Sequence, residues 1–552
     1  MAALAAASRT ERGIKVIEHD GRSLSLTFAD LLREALSVGG SLQECGLAPG
    51  DRVALVVPEI GDFIRAFFGI AAAGLVPVPL VPPTHLADER TFARQTRRLL
   101  VAGRVTAIVT SSGVAPLIDV GSTARTPLVL TCDTLDRGLS LPSPVPVQED
   151  SVAMLQFTSG STAAPKGVVL SHANLHANVT AIGGRHGLNT TPDDVVVSWL
   201  PLHHDMGLIG MLLAPVYTCV SAVIMSPVLF LKRPTAWLEA ISTHRGTISF
   251  APSFAYDLCL RRVKPSQIEA LDLSSWRIAG CGAEPIRPTT LREFADRFSP
   301  AGFRASSFLP SYGLAEHCLA VAFSRSGVKV DSVDGRRLVR DSVAVPVTNG
   351  SSGPAPTVRV VACGQAFPDH QLRIVDDEGR PLPERHVGQI VARGPSVMCG
   401  YFEDPVATAA VLRKGWLHTG DLGYLADGEL YVCGRTKDLI VRHGRKYYPP
   451  DLESVIADVQ GIRPSGVAVF GISRLEEADE VVAVLEARAS LAPADLVERV
   501  RRRVRETAGL ELDRVVVTPP GTIPRTTSGK IRRAETRVRL EAGTLLTGGS
   551  ET

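Results

Sequence analysis

Two rhythms of apolar and polar positions alternate along the first part of the chain. Ala29 to Leu42 carries apolar residues at helical spacing and is closed by Gly46, and Arg52-Val53-Ala54-Leu55-Val56-Val57-Pro58 reads as a buried strand. A second amphipathic helix runs from Ile60 to Ala73 and stops at Gly74, before the extended Val76-Pro77-Val78-Pro79. A helical Phe92 to Val101 then precedes the strand Ala107-Ile108-Val109-Thr110, and His172 to Ile182 and Asp194 to Leu200 repeat the alternation. Strand–helix repeats predict layered α/β sheets with ligands at the carboxyl ends of the strands. Farther on, Gln371 to Val375 and Gly388 to Ala392 alternate at a period near two about the turn Asp376-Asp377-Glu378-Gly379, which predicts a small, barrel-like β patch. Between about Gly327 and Gly364 the composition changes, and Val345 to Thr357, rich in Pro, Gly, Ser and Thr and lacking helical period, is expected to be a long loop or insert. From Asp438 onward, Gly466 to Phe470, Glu480 to Glu486 and Arg514 to Val517 are strand-like and Ala494 to Ala508 is helical. These form a small α+β domain. The polar crossing Gly434-Arg435-Thr436-Lys437-Asp438 marks the border, giving an N-terminal region 1–434 and a C-terminal domain 435–552.

Met206 to Leu231 carries no charge over about 26 residues, long enough to cross a bilayer. Pro215 and Pro227 are expected to break it into a helix followed by a strand, buried inside the protein rather than inserted in a membrane. The Ala-rich start meets Arg9, Glu11 and Arg12 before a signal-type apolar core can form. A chain of 552 residues is too long for one core. With 45% apolar and 21% charged residues, a net charge of +2 and no long run of one sign, it gives no support for nucleic-acid binding. Nine scattered cysteines without a Cys-x-x-Cys pair fit reduced thiols in the cytoplasm. Arg501, Arg502, Arg503 and Arg505 cluster on the last predicted helix, as a solvated face or a docking patch for an acidic partner.

Chemistry enters at Phe157-Thr158-Ser159-Gly160-Ser161-Thr162-Ala163-Ala164-Pro165-Lys166-Gly167, after the apolar Val152 to Gln156. Glycines let backbone N–H groups converge on an anion, the hydroxyls add donors and Lys166 a cation. On composition alone this is either a phosphate cradle or a flexible surface loop, and it is not a Walker A loop. His203-His204-Asp205 look like a metal site, yet neighbours in an extended segment point apart. A strand-like Trp276 to Ala279 ends in Gly280-Cys281-Gly282-Ala283-Glu284-Pro285, where small residues let a flat ring approach or simply pack a helix. In Ser311-Tyr312-Gly313-Leu314-Ala315-Glu316 the tyrosine can stack on a purine and the carboxylate can bind Mg²⁺. Asp421, in Gly415-Trp416-Leu417-His418-Thr419-Gly420-Asp421, can accept two ribose hydroxyls at once. Pro524-Arg525-Thr526-Thr527-Ser528-Gly529-Lys530-Ile531-Arg532 is a basic loop.

Taken in order, these strings resemble the adenylate-forming superfamily of acyl-CoA synthetases, peptide-synthetase adenylation domains and luciferases. The His-His-Asp-Met-Gly and Gly-Ala-Glu-Pro spellings resemble its fatty acyl-AMP ligase branch, as does the position of the 327–364 insert. The resemblance implies ATP and Mg²⁺ as cofactors and a catalytic Lys530 on a mobile C-terminal domain that turns about a hinge at Lys437. It puts His204 near the substrate carboxylate and the phosphates on Thr158, Ser159, Gly160, Ser161, Thr162 and Lys166. Adenine and ribose fall to Gly282, Ala283, Glu284, Tyr312, Gly313, Asp421 and Arg435, and the metal to Glu316.

The activity so implied is attack of a carboxylate on Mg·ATP to give acyl-AMP and pyrophosphate, followed by transfer to a carrier-protein phosphopantetheine thiol in polyketide or lipid synthesis. CoA as the acceptor, and a non-catalytic nucleotide-binding relative, are the alternatives. Apolar residues after Gly207 and from Phe250 to Tyr256 are expected to line a pocket for a hydrophobic acid.

Overall fold

The structure is a computed structural model that describes residues 1–83, 89–121, 126–135, 139–158, 165–347, 357–442, 445–472, 480–487, 493–526 and 530–545. Its largest sheet has nine strands, in the order Gln365–Ala366, Ala320–Phe323, Phe308–Gly313, Ile278–Cys281, Ile248–Ala251, Val195–Ser198, Ser221–Met225, Gly13–Ile17 and Ser23–Thr27. The six from Phe308–Gly313 to Gly13–Ile17 are mutually parallel. Covered on both faces, they read as continuous apolar runs instead of alternating ones. A second, all-parallel sheet orders Val76–Pro79, Arg52–Val56, Ala107–Thr110 and Leu128–Thr131. Between the two lies a three-stranded antiparallel piece, Gly400–Tyr401, Lys166–Ser171 and Val152–Thr158. The expected β patch is an antiparallel sheet built on the long strand Trp416–Ala426, which pairs with Gly388–Arg393 on one side and Glu429–Arg435 on the other. That last strand runs through Arg435, and the short turn Thr436–Asp438 follows it.

The uncharged stretch is a buried helix followed by a strand, as expected, with one further helix after them. A π-helix, Met206–Leu213, leads into the helix Ala214–Thr218, Cys219 stops it at φ +53°, and the strand Ser221–Met225 is followed by a further helix, Pro227–Lys232. Pro227 stands in the first turn of its helix, where the missing N–H has no intrahelical partner to lose, whereas Pro215 sits where the π-helix passes into the α-helix and so lies within a continuous helical run. All eight residues of the π-helix are buried. Among the described residues no helix is long and apolar enough to cross a membrane.

The segment after Gly327 opens with regular elements. Strand Val330–Asp334 pairs antiparallel with Thr357–Val361, and between them stands the helix Gly335–Asp341, capped by the Asp334 carboxylate, which accepts from the N–H groups of Arg336 and Arg337. Residues 348–356, most of the Pro/Gly-rich run, lie outside the described residues. Val333, Leu338 and Ala344 join a core with Tyr424, Tyr431 and Tyr448, while Val339 packs on the core of the C-terminal domain. That domain has a three-stranded sheet, Ile462–Ile472, Glu480–Ala487 and Arg514–Thr518, with helices Pro449–Ala457, Pro493–Ala508 and Arg533–Glu541. Of its clustered arginines, Arg501 donates to the Asp513 carbonyl and Arg505 pairs with Glu511, leaving Arg502 and Arg503 exposed.

Candidate active site

Three of the parallel strands deliver candidate residues at their carboxyl ends. Val195–Ser198 leads to His204, Ile278–Cys281 to Gly282-Ala283-Glu284, and Phe308–Gly313 ends in Tyr312 and Gly313. Gly282 lies so close to the next strand that a Cβ would sit 2.5 Å from Ser311 Oγ, and at Gly313 it would meet the Leu319 carbonyl at 2.1 Å. Only glycine fits at either position. Ala283 adopts φ +70°, a strained setting for a residue with a side chain.

The cradle itself is seen at its base. Thr158 ends one strand opposite Lys166, which begins the next, so the loop between them opens from a fixed hairpin. Ser159, Gly160, Ser161 and Thr162 lie outside the described residues. Gln156, buried two residues before Thr158, donates from Nε2 to the His203 carbonyl at 2.9 Å and so ties this hairpin to the histidine segment. His204 Nδ1 stands 2.5 Å from Asp205 Oδ1. Burial works to raise the Asp205 carboxyl, but His204, Lys530 and the Met206 N–H together hold it below its ordinary 3.8. Burial drives the neighbouring His203 down to about 3, so that ring is neutral near pH 7. Among the described residues no three His, Cys, Asp or Glu side chains group as a metal cage.

Tyr312 donates its hydroxyl to Asp421 Oδ2 at 2.7 Å, and Arg435 Nε lies 3.1 Å from the other oxygen, Oδ1. Asp421 and Arg435 face each other across paired strands. Each carboxylate oxygen keeps a second lone pair for another donor. Tyr312 is 8% exposed, so its ring is part of the wall that fixes Asp421. Glu284 accepts from the Phe254 N–H at 2.6 Å. Burial raises its carboxyl, against that hydrogen bond and the charges of Arg287, Arg525 and Lys530.

Lys530 reaches this group from the C-terminal domain. Its N–H donates to Thr526 Oγ1 at 3.0 Å and its carbonyl accepts from the Thr526 N–H at 2.8 Å, closing the base of the loop. Burial lowers the Lys530 ammonium below its ordinary 10.5, and Asp205, Glu284 and Asp421 pull the other way while Arg435 adds to the lowering. Lys437 stands in the turn Thr436–Asp438, where burial lowers its ammonium too, against Asp438, Asp421 and Glu316.

Glu316 sits in the turn Ala315–His317, and its Oε1 accepts from the Tyr401 hydroxyl at 2.8 Å. The Lys166 ammonium lies 4.8 Å from the centre of the same ring. Burial and Glu316 push the Tyr401 hydroxyl well above 10, so it remains a donor. Sequence reading passed over Tyr401; the signal available was an aromatic directly after Gly400, in a backbone setting of φ +148°. Tyr256 stands apart from the other residues expected around the acid. Tyr256 is 0% exposed, donates to the Gly280 carbonyl at 2.8 Å and packs among Trp237, Trp276, Phe294 and Phe308, so it belongs to an aromatic core and not to a pocket wall.

Residues 5–402 match the family described as AMP-binding enzyme. The chain belongs to the AMP-binding enzyme family. This AMP-binding enzyme is 39% identical to a Caulobacter vibrioides protein provisionally named an acyl-CoA synthetase, over 98% of this chain and 95% of that one. It is 36% identical to the long-chain-fatty-acid–AMP ligase FadD26 of Mycobacterium bovis, over 92% of this chain and 90% of the relative. A solved structure from a study of fatty acyl-adenylate ligases of E. coli and L. pneumophila superposes with a TM-score of 0.91 at 37% identity, covering 98% of this chain and 97% of the other.

Proposed function

We propose that the protein is a ligase that activates a hydrophobic carboxylic acid with ATP and passes the acyl group to the phosphopantetheine thiol of a carrier protein. A carboxylate oxygen attacks the α-phosphorus; that O–P bond forms as the bond to the departing pyrophosphate breaks, giving acyl-AMP. The observation that carries this reading is the Lys530 ammonium, brought by the C-terminal domain among Asp205, Glu284, Asp421 and Arg435 beyond the carboxyl ends of the central strands.

Lys530 bridges the carboxylate and the α-phosphate, and His204, held by Asp205, borders the carboxylate. Thr158, Ser159, Gly160, Ser161, Thr162 and Lys166 hold the β- and γ-phosphates. Gly282, Ala283, Glu284, Tyr312 and Gly313 frame adenine, with Asp421 and Arg435 on ribose. Glu316 fits Mg²⁺, because that ion takes one or two carboxylates plus substrate phosphates, and Tyr401 occupies only one oxygen of its carboxylate. When bound, the ion supplies positive charge against the phosphoryl oxygens. The C-terminal domain begins at Thr436–Asp438 and turns about Lys437. Nine free thiols fit a reducing, cytoplasmic setting.

The test is carboxylate-dependent ATP–pyrophosphate exchange. Lys530→Ala should lose a factor of about 10² to 10³. Undiminished exchange in that variant would overturn the roles, and none from the wild-type protein would leave only a nucleotide binder. Paired assays with CoA and with a holo carrier protein decide the acceptor; the carrier should be acylated faster.

A further inference from the structure

We propose that Tyr401 is a positioning residue that sets both the phosphate-loop lysine and the metal-binding carboxylate, through the two faces of one side chain's chemistry. This deepens the function proposed above and rests on it. The placement follows from backbone pairing. Strand Gly400–Tyr401 pairs with Lys166–Ser171, setting Tyr401 opposite Val168, two residues past Lys166. The Met398 N–H donates to the Glu316 carbonyl at 2.9 Å and brings the third segment alongside. The Tyr401 N–H donates to Thr408 Oγ1 at 2.9 Å, which fixes the tyrosine backbone from the helix Pro405–Val411.

The hydroxyl and the ring then do separate things. By donating to Glu316 Oε1 the hydroxyl fixes the rotation of the carboxylate and leaves Oε2 for a cation. Among the described residues no other hydrogen bond reaches that carboxylate. The ring face attracts the Lys166 ammonium, so the lysine is held at the mouth of the hairpin before a phosphate arrives. The cation and the anion thus meet different parts of one neutral residue.

Two substitutions separate the two contacts. Tyr401→Phe keeps the ring and removes the hydroxyl; Tyr401→Leu removes both. Calorimetric titration with a non-hydrolysable ATP analogue, at several Mg²⁺ concentrations, reads binding without turnover. In Tyr401→Phe the Mg²⁺ concentration needed for half-maximal tightening should rise about tenfold, the scale of one hydrogen bond to a charged group, while affinity for the analogue in Mg²⁺-free buffer stays at the wild-type value. In Tyr401→Leu that Mg²⁺-free affinity should fall a further threefold or so, the scale of an exposed cation–π contact. Thermal unfolding of Tyr401→Phe should match the wild type. Superimposable Mg²⁺ curves for Tyr401→Phe and wild type, or equal Mg²⁺-free affinities for both variants, would overturn the proposal while leaving the ligase reading intact. Failure of the wild-type protein to bind the analogue would overturn both.

Discussion

At Lys530 two demands conflict: the proposed role needs a charged ammonium, and burial there opposes the charge. Because the docked group gives up its proton more readily than in the unfolded chain, the folded form binds fewer protons between the two pKa values. Folding stability from this residue therefore rises with pH through that window and is lost as pH falls below it. Activity runs the other way, since deprotonation removes the working cation. The alkaline limb of kcat/KM for pyrophosphate release should begin below 10.5, and in Lys530→Arg it should disappear although the rate is lower, because a guanidinium stays charged. Profiles from about pH 7 to about pH 11 check this, and an unchanged limb in the arginine variant would assign it to another group. Lys530, Asp421 and Glu316 could be singled out from the sequence because each stands in a long string of residues that keeps its chemistry in order. Tyr401 was not, because its partners Lys166 and Glu316 become neighbours only through strand pairing; the tyrosine and the glutamate lie 85 residues apart.

At the scale of elements, the loop that carries Lys530 is fixed by the helix that follows it. Arg533, in the first turn of Arg533–Glu541, donates to both oxygens of Glu453 at 2.6 Å and pairs with Asp438 at 3.1 Å. Glu453 in turn accepts from the Val469 N–H at 3.1 Å, and Asp438 is next to Lys437. One guanidinium thus joins the turn Thr436–Asp438, the helix Pro449–Ala457 and the lysine loop. Arg533→Met leaves two carboxylates facing each other in a largely buried place, so stability should fall by about 3 to 5 kcal/mol, read as a lower denaturant midpoint. A loss below about 1 kcal/mol would mean that water already screens the cluster. Periodicity located the strands Ile462–Ile472, Glu480–Ala487 and Arg514–Thr518 and the helix Pro493–Ala508, but not the two nine-residue helices Pro449–Ala457 and Arg533–Glu541 that hold this cluster. It missed the helix Gly335–Asp341, whose seven residues are too few to establish a period, and whose start is signalled only by the Asp334 cap.

Across the whole molecule, that short helix meets the C-terminal domain. Leu338 and Val333 are anchored with Tyr424 and Tyr431 and also meet Tyr448 of the C-terminal domain, while the adjacent Val339 rests on the core formed by Leu452, Val467 and Leu496. A turn of the domain about the proposed hinge at Lys437 has to separate Val339 from that core, and Leu338 from Tyr448, and expose them to water. Val339→Ala removes apolar area that is half-buried, so it should ease separation by about 1 kcal/mol, roughly fivefold in the docked-to-turned equilibrium. The anchor residues are untouched, so the helix itself should stay folded. If docking onto this helix is what disfavours the turned arrangement in which a soluble thiol is acylated, CoA thioester formation should rise roughly fivefold in Val339→Ala while ATP–pyrophosphate exchange, which uses the docked arrangement, changes less than twofold. Equal gains in both assays would show that the substitution loosens the site rather than the hinge, and no gain in thioester would remove this helix from the choice of acceptor.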